Sequence, residues 1–253
     1  MGKIFDISTV FSSIPKLLRF LPQSLFITVV SMIVGLILGL LFALVRTKKI
    51  PVLDKVVVFF VSFIRGTPLI VQLYMTYYVI PMILKYINLK RGTSYSIKNV
   101  PDLLFVFITF GLNEAAYNSE IIRSALQSVQ KGQIEAAESL GMNYFQVLRR
   151  VILPQAAVVA IPPLGNALIG LLKGTSLAFV AGVIEMTAAG KIISGSNFRF
   201  FEVYLALAII YWALTILIEH AVRVLEKSSS IPAQADGNVK RGMTSGFFPG
   251  NPS

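Results

Sequence analysis

Five stretches of the chain, residues 25–45, 56–80, 103–122, 156–184 and 201–222, are apolar runs of membrane-crossing length. A hydrocarbon core about 30 Å thick needs roughly 20 apolar residues in a helix, and lipid offers no partner to an exposed peptide group. The first run is uncharged throughout and is closed by Arg46; the fifth carries Glu219 near its end. The middle three hold Arg65-Gly66-Thr67-Pro68, then Glu114 with Glu120, then Pro162 and Pro163 with Lys173. Charges and helix breakers of that kind face protein or water rather than lipid. The expectation is an all-α polytopic membrane protein with five transmembrane helices.

Composition agrees. Charged residues make up 14% of the 253, where a soluble domain carries roughly a quarter. With no cysteine and one histidine, His220, the chain offers no disulfide framework, no thiol chemistry and no multi-histidine metal site. The net charge of +11 is spread in small groups beside the apolar runs: Arg46, Lys48, Lys49 and Lys55; Arg149 and Arg150; Arg223 and Lys227. That placement suits anchoring at anionic lipid headgroups and gives no continuous basic face for nucleic acid. Residues 1–23 read as an amphipathic segment without the apolar core and cleavage site of a signal peptide. Residues 24–227 form the membrane domain, and residues 228–253, rich in Gly, Ser and Pro, read as a flexible tail.

The longest polar connection, residues 123–154, separates the third and fourth spans. Glu135, Ala136, Ala137 and Glu138 are strong helix formers, and Gly141 offers a turn after them. Asn143 can cap a second short helix whose last turn holds Arg149 and Arg150, with Pro154 as its stop. The expectation is a helical hairpin outside the bilayer.

Glu135-Ala136-Ala137, Gly141, Val151 and Leu153-Pro154 stand at the spacing of the EAA loop, and the hairpin resembles that of ABC importer permeases. Further segments are similar to the polar amino acid branch. They are Arg65-Gly66-Thr67-Pro68-Leu69-Ile70-Val71-Gln72-Leu73, Asn113-Glu114-Ala115-Ala116-Tyr117 with Glu120-Ile121-Ile122-Arg123, Gly165-Asn166, and Leu172-Lys173-Gly174-Thr175-Ser176-Leu177. The departure is Gly174, where many relatives carry an acidic residue. Ser194-Gly195-Ser196-Asn197 and the segment from Phe201 to Leu207 look most like the cystine-type branch; glutamine, arginine and histidine stay open as cargo.

The resemblance implies a type I ABC importer permease with five spans and a cytoplasmic coupling hairpin. Its partners would be a cytoplasmic ABC ATPase dimer, an extracytoplasmic amino acid binding protein and a second permease copy, identical or closely related. ATP and Mg would sit on the ATPase, with no cofactor or catalytic residue in this chain; no GxxxxGK[ST] loop occurs in it. The hairpin residues Glu135, Ala136, Ala137 and Gly141 would couple to the ATPase.

An ionisable group within a span is a functional candidate by default. Glu114 is placed to meet a substrate ammonium, and Arg65 or Lys173 a carboxylate; Asn113, Thr67, Gln72 and Ser176 are further polar candidates for the path. The alternative for each is pairing within the protein or with backbone freed at the broken helices. Gly35-xxx-Gly39 permits close helix approach. The first connection, the hairpin and the C-terminus share one side, and their Lys and Arg place it in the cytoplasm. An ion-coupled secondary transporter is the competing class, but the two related halves usual in such folds are not visible here.

Overall fold

The computed structural model describes residues 5–94 and 100–229. Its helices are α1 Ile7–Leu18, α2 Leu21–Thr47, α3 Leu53–Gly66, α4 Leu69–Arg91, α5 Asp102–Gln127, α6 Lys131–Ser139, α7 Tyr144–Val147, α8 Leu153–Gly174, α9 Met186–Asn197 and α10 Phe200–Ser229. A π turn, Leu148–Ile152, joins α7 to α8, and a 3-10 segment, Thr175–Ala181, follows α8. Among the described residues every regular element is helical.

By length and composition α2, α4, α10 and the helical stretch Tyr144–Ala181 can cross a membrane. The third expected span, α5, is 26 residues long but diluted by Glu114, Glu120 and Arg123. It forms the centre of the bundle, with α2, α3, α4 and α8 packed around it. α2 shows the inside-out logic of a lipid-bathed helix. Phe26, Val29, Ile33, Ile37, Leu40 and Leu44 recur at helical spacing on its exposed face, while Ser24, Thr28, Ser31, Gly35, Gly39 and Ala43 point inward. Lipid solvates the large side chains, and small ones let the helices approach.

That approach is closest along the seam of α2 with α5. A Cβ on Gly35 would collide with the Cβ of Glu114, and one on Gly39 would lie 3.0 Å from Asn118 Cβ. On the facing helix, a Cβ at Gly111 would lie 2.7 Å from Val34 Cγ1. The Gly35-xxx-Gly39 spacing thus serves packing within the chain. The two helices run parallel, because Gly35 meets Glu114, Gly39 meets Asn118, and Arg46 pairs with Glu120.

The second span breaks where Arg65-Gly66-Thr67-Pro68 interrupts it in the sequence, and three boundaries elsewhere differ from the expectation. The second span is two helices: Thr67 and Pro68 are extended (φ −120°, ψ 146°; φ −64°, ψ 138°). A residue before proline is pushed out of the α region, so the helix ends there. α4 then runs on past residue 80 to Arg91, where Gly92 takes the left-handed conformation (φ +65°) common after a helix end. In the hairpin, Pro154 does not stop the second helix but stands in the first turn of α8. There its missing N–H costs little, and the wider π turn before it makes room for the ring. The fourth span therefore starts at Leu153 and gives way to the 3-10 segment rather than running to residue 184.

Beyond Gly182 (φ +86°) comes α9, an element absent from the sequence reading. Buried Glu185 caps it, accepting from the Thr187 and Ala188 N–H groups at 2.9 Å each. Asp6 caps α1, whose buried Val10 and Leu17 pack with Met186, Ala189, Val203, Ala206, Leu207 and Ile210 of α9 and α10. The amphipathic start of the chain is thus docked on its last helix. Ser228 and Ser229, read from sequence as the start of the tail, are helical residues of α10; residues 230–253 lie outside the described residues.

Candidate functional site

α5 and α8 line an open-sided cavity of about 380 Å³. α8 lines it with one face: Pro163, Ala167, Gly170, Leu171 and Gly174 recur at helical spacing, so small residues open the space. α5 contributes Asn113, Glu114, Tyr117 and Ile121, and Leu69 closes one edge. Glu114 is 7% exposed, and its Oε2 is buried without a hydrogen-bond partner. A carboxylate held like this, in a wall that is otherwise largely apolar, is incomplete, because a buried charge needs a counter-charge or donors. Its backbone is pinned from behind by Gly35, so the carboxylate has a fixed station. A Cβ on Gly174 would make only an ordinary 3.6 Å contact with Leu69.

Three polar residues assigned to the substrate path join in one splice of the broken second span. Gln72 Nε2 lies 2.7 Å from the Ile64 carbonyl, 3.0 Å from the Thr67 carbonyl and 2.9 Å from Thr67 Oγ1. Thr67 Oγ1 donates to the Phe63 carbonyl at 2.9 Å. The break frees backbone acceptors that lipid cannot satisfy, and Gln72 supplies the donors. Gln72 Oε1 in turn accepts from Asn113 Nδ2 at 2.9 Å, which tethers the splice to the cavity wall one residue from Glu114.

Lys173 and Ser176 are not brought to this cavity. They line a separate pocket of about 370 Å³ with Ala208, Tyr211, Trp212 and Thr215 of α10. The helical period explains the separation: the face carrying residues 163, 167, 170 and 174 turns positions 173 and 176 away. Arg65 lies on the hairpin side of the cavity, its guanidinium 5.5 Å from the centre of the Tyr117 ring.

The hairpin is a second surface. α6 holds Glu135 and Ala136 outward and buries Ala137. Gly141 sits at φ +81°, a left-handed turn that glycine makes without strain, and among the described residues beyond its chain neighbours nothing lies within 4 Å of where its Cβ would be. Asn143 caps α7 by accepting from Gln146 N–H at 3.0 Å, and Gln146 Oε1 accepts from Asn143 N–H at 2.9 Å, a reciprocal box that the sequence reading saw only from the Asn143 side. Gln155 Nε2 donates to Gln133 Oε1 at 2.6 Å and fastens α6 to the foot of α8. Leu140 (81% exposed), Tyr144 and Phe145 (66% and 67%) therefore stand on a braced platform. Large apolar side chains exposed on such a polar protrusion are of the kind that contact another protein or a membrane surface.

The hairpin and the C-terminal end of α10 share one end of the bundle. Gly165 of α8 packs on Val222 of α10, whereas the opposite end of α8 lies beside Tyr211 and Ala208. α2 reaches the same end, where Arg46 meets Glu120. That pairing is not legible in the sequence, because the partner choice depends on the parallel register of α2 and α5. Among the described residues no group of three or more His, Cys, Asp or Glu is placed to hold a metal.

The sequence and the fold have known relatives. Residues 35–230 match the model of the binding-protein-dependent transport system inner membrane component family. The chain is 44% identical over 221 residues to the probable amino-acid permease protein YxeN of Bacillus subtilis, covering 87% of this chain and 94% of that protein. It is 40% identical over 227 residues to the L-cystine transport system permease protein TcyL of the same organism, covering 90% and 92%. Among solved structures, an amino acid ABC transporter crystallised with histidines superposes with a TM-score of 0.75 at 31% identity, over 88% of this chain and 99% of that one.

Proposed function

Because this chain belongs to the family of binding-protein-dependent transport system inner membrane components, we propose that it carries an amino acid through the membrane as one subunit of an ATP-driven importer. An extracytoplasmic binding protein delivers the amino acid, and a pair of cytoplasmic ATPases, which hold the ATP and Mg, docks on the hairpin. Two permease copies, identical or closely related, make up the membrane part, since five spans are few to enclose a polar route. The hairpin and C-terminus face the cytoplasm: Arg46, Lys48, Lys49, Arg149, Arg150, Arg223 and Lys227 crowd their end of the bundle, in keeping with the positive-inside bias. Cystine is the favoured cargo, in line with the name of TcyL.

The observation that carries this reading is the unpartnered Glu114 carboxylate in the cavity wall. An α-ammonium group supplies what it lacks, a positive charge with several N–H donors. The small residues of α8 leave room for a side chain, while the splice at Gln72 keeps Asn113 and Glu114 in register with α4.

Glu114→Gln keeps the shape and removes the charge. Hydrogen bonds to charged groups contribute about 1.5–3 kcal/mol, so uptake by the full complex should fall about 10- to 100-fold. Basal ATP hydrolysis and the melting temperature should stay near the parent values. A lowered melting temperature with normal uptake by the surviving protein would instead assign Glu114 to helix packing.

A further inference from the structure

A second pocket, of about 370 Å³, lies on the hairpin side of the Glu114 cavity, lined by Arg65, Glu120, Ile121, Arg123, Val159 and Pro163 among others. Ile121 and Pro163 belong to both spaces. Tyr117 connects them as well: it lines the first cavity, and its ring lies under the Arg65 guanidinium. The route from Glu114 toward the hairpin thus leads past Arg65.

The charges in this pocket do not balance. Glu120 is its carboxylate, and both oxygens are engaged: Oε1 pairs with Arg46, and Oε2 accepts from Arg123 at 2.8 Å. Arg123 Nη1 also donates to Gln127 Oε1 at 2.7 Å, so Arg123 is held in place. Arg65 arrives from a third helix. Among the described residues no carboxylate pairs with it; its contact is the Tyr117 face. Within the pocket two arginines, Arg65 of α3 and Arg123 of α5, face the single carboxylate Glu120, whose other oxygen is taken by Arg46 of α2; Asp54 offsets part of the Arg46 charge from outside the pocket. The exposed Arg65 guanidinium is a planar fork that matches a carboxylate.

We propose that this pocket is a second station on the transport route, where Arg65, backed by Arg123, receives the carboxylate of the amino acid after its ammonium leaves Glu114. The proposal rests on the amino acid reading of the Glu114 cavity. Arg65 stands over Tyr117, one turn from Glu114, while Arg123 lies nine residues of α5 beyond Glu114, a rise of about 13 Å, so both arginines reach the carboxylate only once the ammonium has moved off Glu114. A carboxylate moving on from the Glu114 cavity would meet Glu120 next, so the cations beside that acid give the cargo a direction.

The test uses the full complex with its ATPase and binding protein in liposomes of neutral phosphatidylcholine, with L-cystine and L-glutamine as probes. Arg65→Gln is expected to lower the amino acid moved per ATP hydrolysed about tenfold, with an unchanged melting temperature because the side chain is exposed. Arg65→Lys keeps the charge but loses the fork, and should fall between the two; it carries the test if Arg65→Gln fails to assemble. Parent-like transport by whichever of these variants assembles would overturn the station and leave the Glu114 reading standing. Loss confined to liposomes containing phosphatidylglycerol would also overturn it, because Arg65 would then serve a lipid phosphate. A parent complex that moves neither probe would overturn the amino acid reading and the station together.

Discussion

Replacing Gly35 by leucine is expected to break the bundle at its most crowded seam. The first atom added would collide with Glu114 Cβ, with the Glu114 carbonyl carbon at 3.2 Å and the Ala115 nitrogen at 3.3 Å behind it. Two of those three neighbours are backbone, so no rotamer change relieves them. The helices would have to separate along a seam whose registry also sets Asn118 against Gly39 and Val34 against Gly111. Overpacking costs about 1–3 kcal/mol even where side chains can yield, and this site should lie at or beyond the upper end. At about 2–4 °C per kcal/mol, melting should fall by about 6–12 °C, or folded protein should be lost. Gly195→Leu is the control, since among the described residues outside its own stretch of helix nothing lies within 4 Å of the Cβ added at Gly195; its melting should match the parent. A stable Gly35→Leu protein with normal uptake would contradict the seam and the fixed position of Glu114 together.

Gly141→Asp is expected to disconnect ATP hydrolysis from transport while leaving the membrane bundle folded. The residue has φ +81° and open space around it, and aspartate is among the residues that tolerate a left-handed turn. The local cost is therefore modest, about 1–2 kcal/mol, confined to a hairpin that is fastened separately through Gln133 and Gln155. The larger effect lies outside the chain. A carboxylate between Leu140 and the apolar pair Tyr144 and Phe145 would enter the centre of the docking surface. An unpaired charge there costs several kcal/mol on desolvation, enough to reduce ATPase capture at least about 100-fold. Pull-down of the ATPase, together with uptake, checks this; undiminished capture with normal uptake would remove the hairpin as the coupling element.

Which of these features can be read in one dimension follows from their physics. The spans are legible because hydrocarbon imposes long apolar runs, and the hairpin because Glu135-Ala136-Ala137, Gly141 and Asn143 encode their own turns and caps. Glu114 is legible because a charge in such a run is costly. The splice is not: Gln72 reads as one more polar group until the break at Thr67-Pro68 shows which carbonyls were freed. Pro154 misleads, since a proline that ends one helix can equally begin another, and the π turn at Leu148–Ile152 decides between them. Gly35 and Gly39 announce close approach without naming the partner helix. Lys173 and Ser176 could have been set apart from Gly170 and Gly174 by helical phase alone, but motif resemblance groups neighbours in sequence. The pairing of Arg46 with Glu120 needed the register of two helices more than fifty residues apart.

The most direct measurement of the central claim is uptake of L-cystine and L-glutamine into liposomes holding the complex, whose native mass should show two permease copies and two ATPases. Binding protein is supplied on the side opposite the hairpin and ATP on the hairpin side. The account predicts uptake that requires the ATPase, ATP and binding protein together, persists when ion gradients are collapsed, and is lost with Gly141→Asp. Uptake by the permease alone, driven by a sodium or proton gradient and indifferent to ATP, would contradict it.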